Sequence, residues 1–244
     1  MTAVVHATGV QKSFGNHPAL RGVDLLARPG EIVAITGPSG SGKSTLLHCL
    51  AGIVRADRGS ITVAGHQLDA IGEEERSKLR RNEIGVLMQF GHLVAELTAL
   101  QNVALPLLLR GESRASAAQR ARTWLDRFAV GDLADRRPTQ VSGGQAQRVA
   151  AARALVTEPA VLMADEPTGA LDSLAGEELM AQVTLAARAR GTTVLLVTHD
   201  ARVAAHADRE VVVRDGLVVG PPRARGAGGP SVTAEGPVAP GSPA

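Results

Sequence analysis

One stretch of the chain has the composition and spacing of a phosphate-binding loop, and it comprises Gly37, Pro38, Ser39, Gly40, Ser41, Gly42, Lys43, Ser44 and Thr45. It fits the pattern G-x-x-x-x-G-K-[ST], in which glycines allow main-chain N–H groups to converge on phosphate oxygens. Lys43 offers an ammonium group to the terminal phosphates, and the Ser44 hydroxyl is suited to bind Mg²⁺. A flexible glycine and serine turn, a kinase, a GTPase or a motor protein could carry the same pattern, so further residues have to decide.

The segments on either side of this loop are predicted to be a strand and a helix. Residues 31–36 contain a short apolar, β-branched run, and residues 46–51 are good helix formers. A loop between a strand and a helix places the positive N-terminal end of that helix beside the bound anion. The flanking sequence therefore supports a nucleotide site.

A second anion-binding helix end is predicted far along the chain. The segment 141–145 precedes an alanine-rich helix that is expected over residues 146–156. Ser142 is suited to cap that helix, and Gly143 and Gly144 leave its first main-chain N–H groups accessible. One chain thus offers two places for phosphate oxygens.

Two acidic residues, Asp165 and Glu166, end an apolar run that is typical of a buried strand. A carboxylate at such a point can hold Mg²⁺ through water, and its neighbour can polarise an attacking water molecule. Two acids at an ordinary strand exit are common, but their place downstream of a phosphate loop favours a role in phosphoryl transfer. Asp172 follows in the turn that leads into the next predicted helix.

Three further candidates have a less informative local sequence. Gln89 leaves a short apolar run, and its amide oxygen could face a metal ion or water, although an ordinary surface glutamine would look the same. His199 follows the apolar run 192–198, and ligands of open α/β sheets bind where strands end in this way. Phe14 is expected in a loop before the second strand, where its ring could stack on adenine or serve as a core or turn aromatic.

The predicted elements indicate an α/β protein with an inserted helical segment. Three β-like runs near the N-terminus suggest an entry sheet that leads into the phosphate loop. From about residue 97 to residue 130, apolar residues recur at spacings of three and four, which is the helical period. Residues 209–219 predict a closing hairpin around Asp215 and Gly216, and residues 221–244 have the composition of a disordered tail.

Composition limits the classes of protein that the chain can represent. The 244 residues are 44% hydrophobic with a formal net charge of +2, and no apolar run approaches the roughly 20 residues of a membrane span. Three Phe, one Trp and no Tyr offer few stacking platforms for bases, so no nucleic-acid partner is expected. The single cysteine, Cys49, is expected to be a buried thiol in a cytosolic protein.

Taken in chain order, these motifs resemble the ATP-binding cassette (ABC) ATPases over about residues 4–220. The resemblance rests on the phosphate loop 37–45, Gln89, the segment 141–145, Asp165, Glu166, Asp172 and His199. Residues 46–52, 97–103 and 164–169 are similar to the group that includes macrolide-exporter, lipoprotein-release and cell-division ATPases.

The resemblance implies a fold and a division of the chain. The fold would be a P-loop NTPase (RecA-like) α/β core with an antiparallel β subdomain and an α-helical subdomain inserted at about residues 90–157. The ATPase domain would occupy residues 1–220, and the disordered tail residues 221–244.

The resemblance also implies roles for the candidate residues. ATP would be held by residues 37–45, with Phe14 on its adenine, and Mg²⁺ by Ser44, Gln89 and Asp165. Glu166 would activate the attacking water, and Lys43, Gln89 and His199 would complete the catalytic set. Two copies would pack head to tail, so that ATP held by one chain meets a set from the other chain that consists of Ser142, Gly143, Gly144, Gln145 and Asp172.

A separate transmembrane permease subunit is the further partner that the resemblance implies, with the chain peripheral on the cytoplasmic face of the cell membrane. The permease would dock near Gln89 and the helical insertion. Two alternatives stay open, a regulatory ABC ATPase of cell division and a soluble ABC ATPase that is not tied to transport. The sequence contains no heptad-rich insertion, Cys-x-x-Cys hook or second cassette that would favour the soluble alternative.

Overall fold

The computed structural model describes residues 3–224, in which ten strands form two sheets and seven α-helices accompany them. The strands are β1 (Val5–Phe14), β2 (His17–Ala27), β3 (Ile32–Thr36), β4 (Arg58–Val63), β5 (His66–Gln67), β6 (Ile84–Leu87), β7 (Val161–Asp165), β8 (Thr193–Val197), β9 (Arg209–Arg214) and β10 (Leu217–Ala224). The helices are α1 (Lys43–Leu50), α2 (Glu73–Glu83), α3 (Ala99–Leu109), α4 (Arg114–Arg127), α5 (Gly143–Leu155), α6 (Ser173–Arg188) and α7 (Ala201–Ala204). None of these helices is long and apolar enough to cross a membrane.

A four-stranded antiparallel sheet in the order β2-β1-β4-β5 forms the entry region of the chain. Val5 and Ala7 of β1 are buried while His6 and Thr8 are exposed, because successive side chains of a strand point to opposite faces. Phe14 pairs with His17 at the end of the β1–β2 hairpin. The prediction that Phe14 lies in a loop is therefore wrong, because the ladder with β2 continues through the polar residues before it.

A six-stranded sheet in the order β10-β9-β3-β8-β7-β6 forms the centre of the molecule. The strands from β9 to β6 run parallel, and β10 pairs antiparallel with β9 at one edge. β3, β7 and β8 are buried on both faces, which explains their almost unbroken apolar sequences. Because carboxyl ends of parallel strands meet at one edge, the loops that follow β3, β6, β7 and β8 come together.

The opposite edge of the central sheet, at the amino ends of β3 and β9, is fixed by polar contacts. The main-chain N–H of Ile32 donates to Asp208 Oδ2 at 2.9 Å, and Asp208 Oδ1 accepts from Arg188 Nη2 at 2.6 Å. Arg209 Nε donates to Glu31 Oε1 at 2.8 Å. These contacts join both strands to α6 at the end of the sheet away from the phosphate loop.

Helices α3 and α4 form the predicted helical insertion and pack against α5. Trp124 on α4 stacks on Phe128 with ring centroids 6.3 Å apart, and both belong to a buried core that extends into the central sheet. α5 begins at Gly143, earlier than the expected residue 146, because Ser142 caps the helix and both glycines lie in its first turn.

The last two strands form the predicted hairpin. Asp215 and Gly216 have φ angles of 50° and 73°, as a two-residue type I′ turn requires. β10 runs to Ala224, beyond residue 221 where a disordered tail was expected to begin. Its two prolines coincide with an irregularity in the β9–β10 ladder between Val219 and Arg223, and such an interruption is tolerated on an edge strand. The remainder of the expected tail, residues 225–244, lies outside the described residues.

Candidate nucleotide-binding site

A cleft of about 640 Å³ lies at the carboxyl edge of the central sheet. It is lined by residues 37–45 after β3, Gln89 after β6, Glu166 after β7 and His199 after β8. These positions are far apart in the sequence, and the parallel sheet brings them together. The structure thus assembles most of the predicted catalytic set in one place.

Two glycines of the phosphate-binding loop are required by close backbone contacts. Gly37 and Gly42 have φ angles of 138° and 103°, which glycine adopts readily and other residues do not. A Cβ atom at Gly37 would overlap the carbonyl oxygen of Val213, and a Cβ atom at Gly42 would overlap that of Ala19. The loop is therefore seated against β9 and β2, and α1 starts within the stretch, at Lys43, with its positive end at the cleft.

Lys43 places its ammonium group inside the loop. Its side chain is buried, and Nζ donates to the carbonyl oxygens of Gly37 at 2.9 Å and Pro38 at 2.8 Å. An ammonium group has three donors, so Lys43 can brace the loop and still offer an N–H to a ligand oxygen. This arrangement fits a phosphate group at the loop.

Ser44 and Asp165 form the oxygen pair that suits a magnesium ion. Ser44 Oγ donates to Asp165 Oδ1 at 3.0 Å, and His48 Nε2, which has no hydrogen-bond partner among the described residues, lies 3.7 Å from Asp165 Oδ2. Burial raises the pKa of the Asp165 carboxyl above its ordinary value, the Ser44 hydrogen bond and nearby His48 offset part of this effect, and Glu166 adds to it. A divalent cation would relieve the cost of that buried charge.

The described residues contain no group of three or more His, Cys, Asp or Glu side chains that could hold a metal ion by themselves. Magnesium is commonly bound by one or two carboxylates together with the phosphates of a nucleotide. The oxygen atoms of Ser44 and Asp165 fit such a shared site, in which the nucleotide supplies further ligands.

Glu166 and His199 contact each other at the mouth of the cleft. Glu166 Oε1 lies 2.9 Å from His199 Nδ1. Glu166 has a φ angle of 44°, which is uncommon for a residue with a side chain, and its main-chain N–H donates to the Val197 carbonyl at 2.9 Å. This sharp exit from β7 turns the carboxylate towards the end of β8.

Gln89 packs against the turn that follows Glu166. A Cβ atom at Gly169 would lie 2.6 Å from Gln89 Nε2, so a side chain at that position would displace the Gln89 amide. Phe14 is 52% exposed, with the Lys12 ammonium 5.5 Å from its ring centroid. It is not among the residues that line the cleft, so its contact with adenine stays a prediction.

The second predicted anion site forms a separate recess of about 510 Å³. Ser142 caps α5, and its Oγ accepts from the N–H of Gln145 at 3.2 Å while Gln145 Oε1 accepts from the N–H of Ser142 at 2.9 Å. Asp172 also lines the recess and caps α6, since its carboxylate accepts from the N–H of Ala175 at 2.9 Å. The recess shares no lining residue with the cleft around the phosphate loop.

Two polar side chains that were not predicted from the sequence contact these loops. His48 lies beside Asp165, as described above, and Gln147 on α5 hydrogen-bonds to the main chain next to Gln89 and Glu166. Gln147, Ala150, Ala151 and Ala154 lie on the buried face of α5. In the sequence, Gln147 could have been recognised as a single glutamine on an otherwise apolar helix face.

The fold and the cleft define a P-loop nucleotide-binding protein, and comparison with known proteins identifies its family. A family model described as ABC transporter matches residues 20–169. The chain is 42% identical over 215 residues to the lipoprotein-releasing system ATP-binding protein LolD of Porphyromonas gingivalis (strain ATCC BAA-308 / W83), and the match covers 88% of this chain and 98% of the relative. It is 46% identical over 201 residues to the macrolide export ATP-binding/permease protein MacB of Rhodopseudomonas palustris (strain BisB18), covering 82% of this chain and 30% of the relative.

A solved structure is also similar. It is described as the dimeric, post-hydrolysis state of the ATP-binding cassette MJ0796 bound to ADP and Pi, and it superposes with a TM-score of 0.85 at 37% identity, covering 91% of this chain and 100% of that chain. The chain therefore belongs to the ABC transporter family. It is an ATP-binding subunit that hydrolyses ATP, and the predicted P-loop core is confirmed.

Proposed function

We propose that the ATP site of this protein is completed by a second copy of the chain, packed head to tail. The observation that carries the proposal is the separation of two anion-binding surfaces, the cleft at residues 37–45 and the recess at residues 142–145, which share no lining residue. Both are built from glycines and a helix N-terminus, which suit phosphate oxygens. A head-to-tail dimer uses both surfaces, and the solved relative MJ0796 is described as dimeric.

Within this dimer the proposed roles follow the chemistry of each side chain. Lys43 and the amides of residues 37–45 hold the β- and γ-phosphates. The partner's Ser142 donates a hydrogen bond from its hydroxyl group to the γ-phosphate, while its Oγ still caps α5. Asp172 lies at the edge of the same recess, at the dimer interface. Phe14 stacks on the adenine.

Ser44, Gln89 and Asp165 would hold Mg²⁺, which would neutralise charge on the phosphate oxygens when bound. Glu166 accepts a proton from the attacking water at its carboxylate. His199 orients that carboxylate through the contact between Nδ1 and Oε1, and its other ring nitrogen reaches the γ-phosphate. These groups act by position and charge, which is what phosphoryl transfer requires.

We propose further that the dimer energises a separate transmembrane permease and lies on the cytoplasmic face of the membrane. The relatives are named for lipoprotein release and macrolide export, and the macrolide relative combines ATP-binding and permease functions in a longer chain. Exposed apolar side chains beside Gln89, above all Phe90 at 66% exposure, offer a docking surface near the helical subdomain.

A mixing experiment tests the shared site. Lys43→Ala removes the phosphate loop's cation, and Ser142→Asp keeps the cap of α5 but sets a carboxylate against the γ-phosphate. Each variant alone should be inactive. In an equal mixture half of the dimers contain one unaltered site, so about a quarter of the wild-type phosphate release should return. A mixture as inactive as its components would contradict the shared site.

The membrane role is tested by co-expression with a candidate permease, namely a membrane protein whose gene neighbours that of this chain. The protein should sediment with membranes when both are present and stay in the supernatant when the permease is omitted. Phe90→Asp should abolish sedimentation without changing basal ATP hydrolysis, whereas Leu185→Asp, at another exposed apolar position, should not. Protein that stays in the supernatant with the permease present would overturn this assignment.

A further inference from the structure

One buried side chain links the two loops that carry Gln89 and Glu166. Gln147 on α5 is 2% exposed, and its Nε2 donates to the carbonyl oxygen of Met88 at 2.9 Å and to that of Pro167 at 2.7 Å. An amide nitrogen has two hydrogens, so both are committed to these contacts. Met88 immediately precedes Gln89, and Pro167 immediately follows Glu166.

This link begins where the sheet stops holding the two strands together. β6 and β7 pair in parallel register, and the last pair is Leu87 with Ala164. Beyond that pair the segments after β6 and β7 no longer hydrogen-bond to each other. Pro167 has no N–H with which to continue the ladder. Gln147 supplies a hydrogen-bonded bridge across the gap and so fixes the separation of the two loops.

The same helix holds the loop after Gln89 at a second point. Arg153 donates from Nη2 to the carbonyl oxygen of Gly91 at 2.6 Å and from Nη1 to that of His92 at 2.9 Å. Gly91 and His92 have φ angles of 65° and 46°, and the carbonyls of both residues accept from the same guanidinium group. Both contacts come from α5, whose N-terminus carries residues 142–145.

We propose that Gln147 and Arg153 are positioning residues for ATP hydrolysis. They couple the position of α5 to the placement of Gln89 and Glu166, so a displacement of α5 at its N-terminal end moves both reacting groups together. The two residues contact only main-chain carbonyls of the loops. Their removal should therefore lower turnover while nucleotide binding at residues 37–45 is preserved.

The test compares kcat and KM for ATP in the full chain. Gln147→Met removes both donors at similar length and should lower kcat about tenfold with KM changed less than twofold. Arg153→Lys keeps the charge but loses the two-armed contact and should lower kcat about threefold. Thr184→Val is the matched control, because the Thr184 hydroxyl is buried and bonds only within α6, and its kcat should equal that of the wild type.

A double-mutant cycle separates positioning from general destabilisation. If Gln147 acts through Gln89, Gln147→Met should lower kcat much less than tenfold in a Gln89→Ala background. In that background there is no Gln89 side chain left to position. The proposal would be overturned if the fold-decrease in kcat of the double variant equalled the product of the two single decreases. A kcat for Gln147→Met within twofold of the wild type would also overturn it. Where Gln147→Met yields no folded protein, Arg153→Lys decides, and unchanged kcat in that variant would reject the coupling.

Discussion

Glu166 Oε1 lies 2.9 Å from His199 Nδ1, so the residues that follow two neighbouring strands form a direct pair at the mouth of the ATP cleft. Glu166 is mostly buried, with 18% of its side chain exposed, whereas 71% of the His199 side chain is exposed. The carboxylate is thus held from the solvent side by an imidazole that follows β8. The contact adds to the backbone turn at Glu166, so that both hold the carboxylate towards the end of β8.

Replacing Glu166 with glutamine should stop hydrolysis and preserve ATP binding. The introduced amide side chain keeps an acceptor oxygen for His199 but cannot take a proton from water, so phosphate release should fall at least about a hundredfold. The variant should accumulate as an ATP-dependent dimer in size-exclusion chromatography. Glu177→Gln, a change at an exposed position on α6, is the control, and wild-type turnover in Glu166→Gln would remove this residue from its assigned role.

Replacing Asp165 with asparagine should stabilise the nucleotide-free protein at neutral pH. Burial raises the pKa of this carboxyl from its ordinary value of 3.8, so the folded state binds the proton more tightly than the unfolded state. Stability from this group is therefore greatest at low pH and declines as pH rises through the raised pKa. Urea unfolding should show a higher midpoint for Asp165→Asn at pH 7, with the difference shrinking towards pH 4.

Asp57 provides a control for that experiment, because its pKa is shifted in the opposite direction to that of Asp165. The hydrogen bond from the Lys12 side chain and that from the Ser13 amide lower the pKa of Asp57. Its contribution is present above the ordinary pKa and lost as pH falls, so Asp57→Asn should unfold at lower urea at pH 7. If both variants changed stability in the same direction with pH, the electrostatic account of Asp165 would fail.

Alanine at Gly42 should destabilise the chain more than alanine at Gly15. Both glycines have positive φ angles, 103° and 59°, but a Cβ atom meets the Ala19 carbonyl only at Gly42 and open space at Gly15. Gly15→Ala should cost about 1–2 kcal/mol for its left-handed backbone conformation. Gly42→Ala should cost about 1–3 kcal/mol more for the overlap, measured as free energies of unfolding. Equal losses would show that the overlap relaxes freely.

The Cys49 thiol should be unreactive in the folded protein. Its side chain is buried in α1, and burial raises the pKa of the thiol to about 11. Because the thiolate is the reactive form, labelling by iodoacetamide at pH 8 should follow unfolding of the protein. ATP should slow the labelling by stabilising the folded state. Rapid labelling of the native chain would contradict the burial of this residue.

The sequence predicts the parts of the site that are local in the chain. The phosphate loop, the capping of α5 by Ser142 and the hairpin at Asp215 each depend on a few adjacent residues, and the structure has all of them. The bridge made by Gln147 was not predicted, because it joins three segments that only the parallel sheet brings together. The extent of β10 was missed for a similar reason, since prolines in a strand are acceptable at an edge or an irregularity and strand order cannot be read locally.

The two ends of the central sheet should differ in how evolution and laboratory mutation treat them. At the amino end, Arg209 with Glu31 and Asp208 with Ile32 hold strands in place and touch no reacting group. At the carboxyl end, residues such as Glu166 occupy an uncommon backbone conformation beside the cleft. Selection for abundance alone should constrain the first end and leave the second free to drift. Selection for turnover should constrain the carboxyl end as well, so comparing the two selections would separate residues needed for folding from residues needed for hydrolysis.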